Sequence, residues 1–174
     1  MQIGSAVGVT AVLLMMFGGA IAAGPQQCRR SPLPSNVELA HGLEHVLERI
    51  YDRSPAFRAQ CERIAGAGNL HVTVRIDTSI PGRCRAFTII HRRGNAIRAD
   101  VHLPASTSLI ELVAHEFEHL LEQIEGLDLR RLARVKGSGV HESEGQVFET
   151  DRAQAAGRVV AAEMNRQHRT PAAD

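Results

Sequence analysis

Apolar and polar positions along the chain fall into blocks of different period. Leu70, Val72, Val74 and Ile76 alternate with His71, Thr73, Arg75 and Asp77, the pattern of a strand with one buried face. Ala86 to His91 predicts a second strand. Ile97, Ala99, Val101 and Leu103 alternate with Arg98, Asp100 and His102 as a third. Pro81-Gly82 marks a turn, and Gly94-Asn95 suits the central positions of a tight hairpin between the last two strands. A three-stranded sheet over 70–104 needs a helix on one face.

Helical periods flank this block. Leu39, Leu43, Val46, Leu47 and Ile50 recur near 3.6 residues, predicting a helix capped by Asn36. Ser54-Pro55 reads as an N-cap followed by Pro at the first helical position. That helix should stop at Gly66-Ala67-Gly68-Asn69, so 36–68 is expected to be helical. Beyond the sheet, Ser108-Leu109-Ile110-Glu111 fits a capping box and Gly126 a C-terminal stop. Within 108–126, Ile110, Val113, Phe117, Leu120 and Ile124 share one stripe at about 100° per residue. A last helix is expected over about 146–167. The expected fold is α+β, a single domain over 36–170, with Pro25, Pro32 and Pro34 in a leader over 24–35.

Composition narrows the function. One Tyr, five Phe and no Trp in 174 residues leave a core resting on Ala, Val, Leu and Ile. The formal net charge of +1 gives no case for nucleic acid, and the pairs Arg92-Arg93 and Arg130-Arg131 read as solvated surface. Residues 1–23 carry no charged side chain, and Ala20-Ile21-Ala22 closes an apolar run with the small-x-small pattern of a signal-peptidase site. The expectation is a signal peptide over 1–23 and an exported protein, periplasmic or secreted. An uncleaved anchor is the rival reading and the only one that involves a membrane. Of Cys28, Cys61 and Cys84, one pair and one leftover is the simplest count. Cys61–Cys84 is the preferred pairing, with Cys28–Cys61 close behind. No Cys-x-x-Cys supports a thiolate metal site.

Candidate chemistry centres on His115-Glu116-Phe117-Glu118-His119. Two His one helical turn apart can bind one zinc ion, and the Glu between them can take a proton from a metal-bound water. The His pair falls opposite the apolar stripe, with Glu116 at one edge and Glu118 at the other. A merely wet helix face would give the same pattern. Glu149 is the expected third ligand. On the last predicted helix it shares a face with Ala153, Ala156, Val160 and Met164, where an unpaired carboxylate is costly to bury. Ala153, Ala156 and Gly157 would let that helix approach the His face. His141, Glu142 and Glu144, in the Gly-rich stretch Gly137 to Gly145, are alternative ligands. An ion pair between Glu149 and Arg152 is the structural alternative. His41, Glu44 and His45 form an inverted zinc motif and read more simply as the polar face of an amphipathic helix.

Together these residues resemble the zincin metallopeptidases of the gluzincin branch, with Glu149 lying 149 − 119 = 30 residues after the motif. The segments Ala114-His115-Glu116-Phe117-Glu118-His119 and Phe148-Glu149-Thr150-Asp151-Arg152-Ala153 are also similar to a group of small exported bacterial proteins of unassigned function. The resemblance covers about 70–165. It implies a zincin-like domain with one catalytic zinc held by His115, His119 and Glu149, and with Glu116 as general base. It also implies a peptide or protein substrate pairing along the strand before the zinc helix, Ile97 to Leu103. The chain departs from the family at Glu118, which is charged, and at Ala153, where an acidic residue commonly orients a ligand His. No residue plainly matches the oxyanion stabiliser; Tyr51, His102, His141 and His168 are the candidates. The expected function is a secreted zinc peptidase. The alternative is a non-catalytic, zinc-binding envelope protein of the same architecture.

Overall fold

Alternation in the sequence becomes strand almost residue for residue. In a computed structural model, which describes residues 31–80, 86–143 and 147–167, the order is β1 (Val37–Leu39), α1 (Glu44–Arg53), α2 (Pro55–Ala65), β2 (Leu70–Ile76), β3 (Phe87–Arg93) and β4 (Ala96–Leu103). There follow α3 (Leu109–Ile124), α4 (Leu129–Leu132), β5 (Val140–Ser143), β6 (Val147–Thr150) and α5 (Asp151–Gln167). The class is α+β, as expected. The main sheet has four strands rather than three, in the order β1-β2-β4-β3, and β5-β6 form a separate hairpin. The described residues belong to one compact unit beginning at Ser31. None of their helices is long and apolar enough to cross a membrane. The expected signal peptide, Cys28, the Pro81-Gly82 turn, Cys84, Glu144 and His168 lie outside the described residues.

The extra strand comes from a segment expected to be helix. A helix starting at Asn36 would have to pass through Gly42 at φ 91°, which a right-handed helix cannot accommodate. Val37–Leu39 instead pairs in parallel with β2, Val37 opposite Val72. Asn36 caps nothing. Its amide donates to the carbonyls of Ile64, Ala67 and Leu70, tying the end of α2 to the start of β2.

β2 also pairs in parallel with β4, Leu70 opposite Ile97, and β3 runs antiparallel on the far side of β4. This order corrects the expected substrate edge. Ile97 to Leu103 is an interior strand, and the edge belongs to β3. Val72, Val74, Ala99, Val101 and Leu103 point to the helical side and are fully buried.

Against that face lies α3, with Val113, Phe117 and Leu120 buried as the stripe predicts. Phe57 of α2 stacks on Phe117 at 5.3 Å. Ser54 caps α2 as expected, accepting from Phe57 N. The capping box at Ser108 does not form, because the Ser108 side chain makes no cap bond. Gly126 does terminate α3. With φ 72° it lets Leu127 N reach Glu122 O and its own N–H reach Gln123 O, the paired bonds of a Schellman motif.

One further expectation fails. The last helix starts at Asp151, not near 146, because Val147–Thr150 pairs with β5 as a strand. Val, Phe and Thr there favour the pleated surface, and Thr150 caps α5 by accepting from Ala153 N. Cys61 is a free thiol, fully buried in the core cluster. The partners of both favoured pairings, Cys84 and Cys28, lie outside the described residues. Burial pushes the Cys61 thiol up to about 12.

Candidate metal centre

The His face of α3 is not wet. α5 packs across it with Ala153, Gly157, Val160 and Met164 turned inward. The approach is close because position 157 has no side chain. A Cβ there would lie 2.8 Å from Glu111 O and 3.4 Å from His115 Cβ. His115 and Glu116 are buried as a result, at 5% and 2% exposure.

Glu149 arrives from an unexpected element. It sits on β6, one residue before the Thr150 cap, and its Oε2 lies 3.1 Å from His115 Nε2. His119 Nε2 is 3.2 Å from His115 Nε2. Ligands at about 2.0–2.1 Å from a tetrahedral metal lie about 3.3 Å apart, so these two separations fit one ion. Donor atoms of all three residues fall within 4.8 Å of one another, and among the described residues no other His, Cys, Asp and Glu group could hold a metal. The alternatives go elsewhere. His41 and His45 are exposed on the surface. His141 Nε2 lies 3.2 Å from Asp151 Oδ1, and Glu142 is exposed. Arg152 turns to Glu118 and Glu125.

Three residues that the motif does not name complete the site. Glu122, 1% exposed, lies 2.8 Å from His119 Nδ1 and accepts from Thr150 Oγ1 at 2.6 Å. With its proton on Nδ1, His119 presents the Nε2 lone pair to the other donors. Burial pulls the His119 imidazole down, but the Glu122 bond and the carboxylates of Glu116, Glu122 and Glu149 outweigh it and leave its pKa raised. Thr88 of β3 donates to Glu116 Oε2 at 2.6 Å. Burial pushes the Glu116 carboxyl up, against the opposing pull of that bond and of both His. Sequence reasoning missed the roles of all three, Glu122, Thr150 and Thr88. Spacing carries the one signal available, since Glu122 lies three positions beyond His119, the same helix face. Nothing local marks Thr88, which is 28 residues from Glu116.

Glu118 is explained by its partners. Gln60 Nε2 donates to it at 2.7 Å and Arg152 Nε at 2.6 Å. It faces α2 and α5 as a buried polar tie, away from the donor set.

Over the site lies a cleft of about 500 Å3. Ala86 to Ile90 of the β3 edge form one wall, Val147 to Glu149 of β6 the other, with Glu116, His119 and Gln123 between. Of the oxyanion candidates, His141 pairs opposite Glu149 across the hairpin. His102 belongs to another cluster, bonded to Asp77 at 2.8 Å and stacked on Phe87, and Tyr51 lies on α1 beside Arg58. Comparison with known proteins gives no match: no family model, no curated protein and no solved structure is similar to the chain.

Proposed function

We propose that the chain is an exported zinc-dependent hydrolase of zincin type, acting on peptide bonds. The observation that carries this reading is the convergence of His115, His119 and Glu149 beside the buried Glu116, in a cleft with a strand edge for one wall. Zinc bound there would act as a Lewis acid, lowering the pKa of its water and polarising a carbonyl.

The chain's own residues supply the rest. Glu122 holds His119 in the tautomer that offers Nε2. Thr88 occupies Oε2 of Glu116, leaving Oε1 to accept a proton from water and later pass it to the leaving amine. The edge of β3, unpaired by any described strand, offers backbone N–H and C=O groups to an extended peptide, the β-augmentation mode. Export rests on the apolar, uncharged residues 1–23.

The purified mature protein should hold about one zinc per chain and cleave an unfolded protein. Glu116→Gln should abolish cleavage while zinc stays bound. Cleavage that persists in this variant would sink the mechanism. Chelation separates catalytic from structural zinc. Because α3 is packed on several sides by apolar contacts, removing metal should silence the protein and leave it folded. Unfolding on chelation, without cleavage of any peptide, would favour the non-catalytic alternative.

A further inference from the structure

The face of the main sheet that no described helix covers carries a second concavity, about 760 Å3, at the end remote from the donor set. Its cations outnumber its acids, although His71 lies 3.6 Å from Glu38 of β1. His71, Arg98 and His91 stand in one cross-strand row, since Arg98 pairs with both His71 and His91. Arg93 follows two residues along β3, on the same face. Neither Arg93 nor Arg98 has an ion-pair partner among the described residues. Asp100 is the one acid in the lining, and it is already approached by Arg75 at 3.4 Å and His91 at 3.8 Å. In a chain of net charge +1, this local excess is a feature of the site and not of overall basicity.

The concavity and the metal cleft share one strand. β3 walls the cleft with Ala86 to Ile90 and continues into the concavity with His91 to Arg93. A chain paired along the β3 edge would run from one to the other, Thr88 to Arg93 spanning roughly 17 Å at about 3.3 Å per residue. Alternate side chains of that chain would face the same side as His91 and Arg93. Arg93 and Arg98 lie on adjacent strands, about 4.8 Å apart across the sheet, and are offset along it. That spread suits several carboxylates on an extended chain better than a single small anion.

We propose that this concavity is a subsite for acidic residues of a peptide whose other end lies in the metal cleft. Antiparallel pairing, the more stable arrangement per residue, places those acidic residues on the N-terminal side of the bond in the cleft. The inference rests on the peptidase reading for its orientation, and on Arg93 and Arg98 for its chemistry.

Binding to the full-length mature Glu116→Gln protein, which cannot turn over substrate, tests it directly. The probes are three labelled peptides of equal length: one with a run of Glu on the N-terminal side, one with that run on the C-terminal side, and one with Gln throughout. The N-terminal Glu peptide should bind about tenfold more tightly than the Gln peptide at low salt, as a few exposed ion pairs would give. The advantage should shrink as salt rises and vanish in Arg93→Glu/Arg98→Glu. The milder Arg93→Gln/Arg98→Gln, checked for native circular dichroism, should lose most of it. Equal affinity for all three peptides overturns the proposal, as does a Glu advantage that survives charge reversal. Equal gain from a Glu run on either side overturns it too. So does capture of vesicles of anionic phospholipid in place of the peptide. Failure of the peptidase reading shows separately, as wild-type protein that binds the acidic peptide and cleaves none.

Discussion

A carboxylate as buried as that of Glu122 is costly unless its oxygens are satisfied, and here both are, by His119 on one side and Thr150 on the other. The residue therefore does for His119 what Ala153 cannot, from the ligand helix itself. Glu122→Gln keeps the shape and removes the charge. On the zinc reading it should weaken metal binding by about 10–100-fold, read by competition with a chromophoric chelator, with the circular dichroism spectrum unchanged. His115, Glu116 and His119 were legible as a group because one helical turn brings them together without help from the fold. Glu118 was not legible, for the opposite reason: its partners Gln60 and Arg152 lie 58 and 34 residues away. A charge inside a motif looks anomalous until its distant partners are known.

At the scale of elements, the contact between α3 and α5 sets the site, and Gly157 sets that contact. Replacing this Gly by Ala raises helix propensity by about 1 kcal/mol. The added Cβ, however, meets the Glu111 carbonyl at 2.8 Å, and overpacking costs about 1–3 kcal/mol. The clash should win. Gly157→Ala is expected to lower stability in urea by about 1 kcal/mol and to weaken metal binding as α5 moves off His115. Elements were readable where a period of two or 3.6 runs unbroken, as in β2, β4 and α3. Short pieces were not. β1 has three residues and exists by parallel pairing with β2. β6 has four and was absorbed into the helix that follows it. Glu149 was thus expected on a helix but lies on the strand, which hands over to α5 at the next residue but one.

Across the whole molecule, one ionic cluster joins the helices. Arg152 of α5 bonds Glu118 of α3 and the C-cap residue Glu125, while Arg63 of α2 also reaches Glu125. The Arg152 bond, reinforced by Arg63, holds Glu125 down from 4.5 to about 2. A carboxyl depressed by folding stabilises the fold fully above its unfolded pKa and loses that contribution as pH falls through the folded one. Its effect should thus be complete above about pH 4.5 and gone near pH 2. Glu125→Gln should be less stable than wild type by a constant margin at neutral pH, and that margin should close between those limits. Denaturant melts at a series of pH values measure it. The α+β class was legible from the order of the periods, whereas the strand order was not. Parallel pairing of β2 with β4 is decided by which faces α3 can cover, and no single stretch encodes that.

The three donors do not leave the molecule on equal terms. Two hang from a helix locked inside the core, while the third hangs from a four-residue strand of a hairpin whose β5 partner is mostly exposed. On the zinc reading, residence time is then governed by how often the hairpin opens, not by how firmly α3 is held. Amide exchange at Val147 to Thr150 should slow when zinc is added, while exchange in the middle of α3 stays as slow as before. A substitution that speeds hairpin opening, such as Thr150→Ala, should shorten the lifetime of the bound ion in the same proportion. Metal release that ignores hairpin exchange would show that the exit lies elsewhere.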